Sequence, residues 1–169
     1  MAREYSEMTV GVIGLGGIGR HFGSFAADVR FKVVGWNRSP IENMGNIEDV
    51  ELEELLLRSD VVSLHLGFNK NTAGFLDDKR LKLMKRDSIF VNTARAELVE
   101  TTALVRHLSA GTLGHAALDV FDYEPLAVNN VLTRLPKVTL TAHTGFKTRS
   151  AMTRLLKMAI SGAAKVASA

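Results

Sequence analysis

Six short segments of nearly unbroken apolar character recur along the chain, at residues 9–13, 32–36, 61–64, 89–92, 116–120 and 138–141. Runs of this length without polar alternation are the pattern of strands covered on both faces, the environment of a parallel sheet. Between them the apolar positions switch to helical spacing. That predicts helices over residues 17–28, 50–58, 78–84 and 101–110, a short one near 129–135 and a long one over 149–166. Asp49 is placed to N-cap the second helix and Gly111 to end the fourth. The last helix carries Met152, Leu155, Leu156 and Ala159 as apolar positions. Strand and helix alternate throughout. The expected fold is α/β: one domain over residues 1–169, a doubly wound, mainly parallel sheet with helices on both faces.

The first apolar run enters Gly14-Leu15-Gly16-Gly17-Ile18-Gly19, and helical spacing begins at Gly17. A G-x-G-x-x-G turn between a strand and a helix is what a dinucleotide pyrophosphate requires. The first glycine permits the tight turn, the second lets the backbone approach the phosphates, and the third lets the helix pack closely. The helix N-terminus adds free N–H groups and partial positive charge. This makes the expected fold of the Rossmann type, with a dinucleotide as cofactor.

Composition narrows the setting. Apolar residues make up 46% and charged residues 23%, with a net charge of +3 and no basic run, so no nucleic-acid partner is expected. No apolar stretch has the length of a membrane span, and the first residues lack the apolar core of a leader, so no membrane partner is expected. The absence of cysteine removes disulfides and thiolate metal sites. No metal is expected, and a cytoplasmic location is the default.

In a sheet of this kind ligands bind outside the carboxyl ends of the strands. Each predicted strand delivers polar groups there. The second ends in Trp36-Asn37-Arg38-Ser39, with no carboxylate to repel a ribose 2′-phosphate and with Arg38 able to pair with one. That favours NADP over NAD. The third ends in His65-Leu66-Gly67-Phe68, with Thr72 shortly after, and the fourth in Thr93-Ala94-Arg95. The fifth leads through Asp119 to Glu124, and the sixth to His143-Thr144-Gly145. Singly, each has a plain alternative: a packed histidine at 65, a surface cation at 95, a loop carboxylate at 124. Their recurrence beside a dinucleotide turn points to a site.

The segments Gly-Leu-Gly-Gly-Ile-Gly, Asn-Thr-Ala-Arg-Ala-Glu-Leu-Val, Ala-Leu-Asp-Val-Phe-Asp-Tyr-Glu-Pro-Leu and Thr-Ala-His-Thr-Gly, in this order, resemble the D-isomer-specific 2-hydroxyacid dehydrogenases. The resemblance covers the chain from about Thr9 to the last helix, and only that family's nucleotide-binding domain. It implies NAD or NADP as cofactor and a small 2-hydroxy or 2-oxo acid as substrate. It implies that Arg95 grips the substrate carboxylate, His143 is the general acid/base and Glu124 is its partner. Gly14, Gly16, Gly17, Ile18, Gly19, Asn37, Arg38, Ser39, His65, Leu66, Thr72, Thr93, Ala94, Asp119 and Gly145 are then the cofactor-binding set, with Asp119 near the nicotinamide. The chemistry suits these residue types. A guanidinium grips a carboxylate through two parallel hydrogen bonds, and an imidazole exchanges protons near neutrality.

Three positions depart from the family pattern: Ala96 stands for a glycine, Ala142 for a proline, and Gly67-Phe68 for Pro-Leu. Only eight residues precede Thr9, so the family's N-terminal substrate domain is expected to be absent and the chain poorly active alone. A homodimer is expected from the family and from the apolar last helix. The alternative reading is a non-enzymatic NAD(P)-sensing or interaction module, like the corepressors that share this fold.

Overall fold

The computed structural model describes residues 4–167. Among these residues seven parallel strands form one sheet in the order β3-β2-β1-β4-β5-β6-β7. They are β1 (Thr9–Ile13), β2 (Lys32–Trp36), β3 (Glu48–Asp49), β4 (Val61–Leu64), β5 (Ile89–Asn92), β6 (His115–Leu118) and β7 (Val138–Leu140). The helices are α1 (Gly17–Asp28), α2 (Leu52–Arg58), α3 (Asp78–Leu83), α4 (Thr101–Ala110) and α5 (Arg149–Ala167). Strand order changes direction beside β1, and a crevice opens at such a point outside the carboxyl ends.

Register decides where the loops emerge. Trp36 pairs with Ile13, Ile13 with Leu64, Leu64 with Asn92, Asn92 with Leu118 and Leu118 with Leu140. Each of these is the last residue of its strand. The next residues, Gly14, Asn37, His65, Thr93, Asp119 and Thr141, therefore leave the sheet along one level edge.

Alternate residues of a strand face opposite sides. Ile13 joins Leu52, Leu55, Leu81, Phe90 and Leu104 in the larger core beneath α2, α3 and α4. Val10 and Val12 join Ala26, Val33 and Ile47 in a smaller core beneath α1. Helices thus cover both faces, as the alternation predicts. Cover is uneven: α1 packs on β1 and β2. On that face Ile89, Val91, His115 and Ala117 are only half-buried, so β5 and β6 alternate where burial on both faces was expected. Strand β7, at the sheet edge, is half-exposed.

Several boundaries move. Asp49 is not the N-cap of the second helix; it pairs with Gly35 in β3, and α2 begins at Leu52 after Glu51, which makes no side-chain cap. Two acidic residues at a sheet edge carry no apolar signature, so β3 is invisible to hydropathy. Asp119 and Val120 lie beyond β6, which starts instead at His115. The short helix near 129–135 is a 3-10 segment, Val131–Arg134, capped by the Asn130 side chain. Gly111 ends α4 as expected, at φ +66°, a left-handed C-cap that glycine adopts freely. Helix α5 leaves Met152, Leu155 and Leu156 between 40% and 59% exposed. No helix among the described residues is long and apolar enough to cross a membrane.

Candidate active site

The glycine turn is fixed by close packing. Gly14 has φ +93°, and a Cβ there would stand 2.8 Å from the His65 carbonyl carbon. A Cβ on Gly19 would stand 2.0 Å from the Gly14 oxygen. Neither site admits a side chain without moving backbone. A Cβ on Gly16 or Gly17, in contrast, meets nothing within 4 Å. Those two positions face open space at the start of α1. Gly16 is the N-cap and supplies no side-chain cap, so the first-turn N–H groups are left for a ligand. The turn has the cradle a pyrophosphate needs.

A hollow of about 340 Å³ runs from this turn past Asn37, Arg38 and Ser39 to His65, Leu66 and Thr72. A second, of about 450 Å³, shares His65, Leu66 and Gly67 and continues past Ile18 and Phe68 to Thr93, Ala94 and Arg95. Together they form one groove along the sheet edge. Arg38 and Ser39 are exposed in it. Asn37 instead works inward: its Oδ1 accepts from Leu15 N–H at 3.1 Å, and its Nδ2 donates to Ser39 O at 2.8 Å. It ties the end of β2 to the glycine turn. On the far side of Asn37 and Arg38 lies an acidic hollow with Asp49, Glu51 and Glu54.

His65 combines both readings of its sequence position. Its ring packs against Phe22 at 5.3 Å, and its Nε2 lies 2.9 Å from Ser63 Oγ. Burial pushes its pKa down, which favours the neutral ring, while the residue lines the groove. The Thr72 hydroxyl accepts from Asn69 N–H at 2.8 Å and donates back to the Gly67 or Asn69 carbonyl. It holds the 67–72 turn that forms a wall.

At the other end, Asn92 closes the Arg95 turn. It is 2% exposed; its Oδ1 accepts from Ala94 N–H at 3.0 Å and its Nδ2 donates to Arg95 O at 2.9 Å. Arg95 itself is exposed, with one guanidinium nitrogen 2.6 Å from Ala94 O.

Glu124 and His143 come into direct contact: Nδ1 lies 2.8 Å from Oε2. The second carboxylate oxygen accepts from Phe121 N–H at 3.1 Å. The His143 bond, then the Phe121 N–H, hold the Glu124 carboxyl below its usual range. The pair borders its own hollow of about 300 Å³ with Phe121, Leu126 and Leu140, separate from the one that Arg95 lines. Asp119, 5% exposed, binds the loop that carries His143 and lines neither. Gly145 lies against it, where an added Cβ would be 3.1 Å from Asp119 Oδ2.

Residues 1–145 match the family described as D-isomer specific 2-hydroxyacid dehydrogenase, NAD binding domain. The chain belongs to this family. It is 38% identical over 159 residues to a glyoxylate reductase of Aeropyrum pernix, covering 92% of this chain and 48% of that one. A D-isomer specific 2-hydroxyacid dehydrogenase of Lactobacillus delbrueckii ssp. bulgaricus, solved in an NAD-complexed form, superposes with a TM-score of 0.90 at 26% identity. That match covers 99% of this chain and 56% of that one. Another from Xanthobacter autotrophicus, solved with NADPH, gives 0.81 at 33% identity over 85% of this chain and 46% of that one. The chain spans about half the length of these relatives. It is an NAD(P)-binding domain of the family, and nothing in these comparisons favours the non-enzymatic sensor.

Sequence reasoning missed four groove-lining residues, Trp36, Asn69, Asn71 and Phe75. It also passed over Asn92 and Thr141. Trp36 and Asn92 were visible as strand ends. The role of Asn92 had no signal beyond a polar residue closing an apolar run.

Proposed function

We propose that this domain serves an NAD(P)-dependent reductase of small 2-oxo acids, and that residues 1–169 form one dinucleotide-binding domain. The other half of the family's length then supplies the opposite wall of the substrate cleft. The observation that carries this is the Glu124–His143 pair at 2.8 Å, on the same sheet edge as the glycine turn and Arg95.

The cofactor, when bound, supplies the hydride. Gly14, Gly16, Gly17, Ile18 and Gly19 take its pyrophosphate, and Asn37, Arg38 and Ser39 its ribose. His65, Leu66 and Thr72 wall the groove, while Thr93, Ala94, Asp119 and Gly145 stand at the nicotinamide end. Arg95 grips the substrate carboxylate and polarises the neighbouring carbonyl. His143 would give a proton to the carbonyl oxygen, and Glu124 would stabilise the imidazolium and fix its tautomer.

NADP is the preferred form in this proposal, because Arg38 is exposed in the groove and no carboxylate stands at position 37. The acidic hollow beside Arg38 works against a 2′-phosphate, so the preference is modest. The exposed apolar side of α5 supports a symmetric homodimer. A cytoplasmic location, inferred from the cysteine-free composition, belongs to the same proposal. Oxidation of NADPH with glyoxylate and hydroxypyruvate, compared between the chain and His143→Ala, tests the activity.

A further inference from the structure

We infer that Asp119 is a positioning residue for His143, clasping residues 141–145 so that the imidazole stands against Glu124. This rests on reading His143 as the proton carrier. Asp119 leaves the end of β6 buried, and its two carboxylate oxygens collect three donors. The Thr141 hydroxyl donates to Oδ1 at 2.5 Å, Thr144 N–H to Oδ1 at 3.0 Å, and Gly145 N–H to Oδ2 at 3.0 Å. These donors lie on both sides of residue 143 in sequence.

His143 needs such a clasp. Its φ is +50°, the left-handed region that a side chain with a Cβ adopts only when its surroundings hold it there. The neighbouring groups confine the ring, with Phe146 edge-on at 5.8 Å and Glu124 at Nδ1. They do not fix the backbone. The three bonds to Asp119 do. Burial by itself would raise the pKa of this carboxyl; the donors from Thr141, Thr144 and Gly145, with His143 nearby, outweigh it and keep the group below its ordinary value. An ionised Asp119 accepts all three bonds at once. An amide in its place presents an N–H₂ group to one of the donors.

The test uses the full chain, labelled with 15N, as wild type, Asp119→Asn and Thr141→Val. Three signals are followed: the His143 ring nitrogens, amide exchange at Thr144 and Gly145, and Trp36 emission as a control on the groove. The wild type should show a single ring tautomer protonated at Nδ1. In Asp119→Asn that signal should give way to mixed tautomers, and the two amides should exchange roughly tenfold faster or more, the loss of about one hydrogen bond each. Trp36 emission should stay unchanged. Thr141→Val, which removes one donor and leaves the carboxylate, should fall between. An unaltered Nδ1 signal with protected amides in Asp119→Asn overturns the proposal. If that variant does not fold, an unaltered His143 signal in Thr141→Val overturns it. None of these readouts requires turnover, so a failure of the reductase reading shows only in the activity assay and is distinguishable from a failure of the clasp.

Discussion

Glu124 Oε2 and His143 Nδ1 lie 2.8 Å apart, bridging the loops that follow β6 and β7. With Phe121 N–H on Oε1, both oxygens of the carboxylate are engaged. The bridge uses Nδ1 of the imidazole, so the proton transfer proposed for His143 would run through Nε2. A carboxyl that receives these donors is easier to ionise, so its midpoint lies below the ordinary 4.5. Its contribution to stability is therefore present above the ordinary value and is lost as pH falls through the lowered one. Carbon-13 titration of the Glu124 side chain should give a midpoint below 4.5, and His143→Ala should move it upward. An unchanged midpoint in that variant would mean that the contact does not persist in solution.

The proposed cofactor choice rests on residues 37 and 38. Asn37→Asp keeps an acceptor for Leu15 N–H, loses the donor to Ser39 O and places a negative charge beside the ribose site. NADPH should then bind less tightly than NADH, reversing the order expected for the unaltered chain. Arg38→Ala should weaken NADPH by about 1 kcal/mol or less, the range for an exposed ion pair, and leave NADH nearly unaffected. Calorimetric titration with both nucleotides separates these outcomes.

Asn92 closes the Arg95 turn from a buried position. Asn92→Ala leaves Ala94 N–H and Arg95 O without this partner and should cost about 1–3 kcal/mol of stability. The urea midpoint measures that cost. Loss of less than about 0.5 kcal/mol, the range of an ordinary surface change, would mean that water replaces the side chain at no penalty.

Much of this arrangement was legible in the residues. The strands β1, β2 and β4 have the bounds that unbroken apolar runs predict, because strands deep in a parallel sheet are apolar on both faces; β5 has the predicted bounds too, although one of its faces is only half-buried. The glycine turn was legible because Gly14 and Gly19 answer steric demands that no other residue meets. The rest had no local signature. Strand β3 consists of Glu48 and Asp49 and exists only because Val34 and Gly35 offer it an edge. Asp119 reads as a cofactor residue from its motif, but its bonds go to residues 141–145, partners set by the pairing of β6 with β7. The inward turn of Asn37 depends likewise on Leu15, 22 positions away.

Turnover by this chain alone should be slow. Arg95 is exposed, and an ion pair in water contributes about 1 kcal/mol or less. Positioning of the reacting carbons can supply roughly 7–11 kcal/mol of a barrier, and much of that belongs to a closed cleft. Steady-state NADPH oxidation with glyoxylate should therefore run several orders of magnitude below the ~10 s⁻¹ of a typical enzyme. Addition of the other half of a family member should raise it.

The groove from Gly16 to Arg95 should hold a dinucleotide. Trp36 is the single tryptophan of the chain and lines that groove, so its emission reports on the site directly. Gly16→Val is the decisive variant, because a Cβ there touches nothing in the protein and obstructs only a ligand. The variant should lose about 1 kcal/mol or less of stability through its N-cap position. NADPH and NADH should each quench Trp36 saturably in the unaltered chain, and more than about tenfold more weakly in a folded Gly16→Val, since the second glycine of such a turn is where backbone meets pyrophosphate. No saturable quenching by either nucleotide, or equal binding by both proteins, would mean that the groove does not hold a dinucleotide.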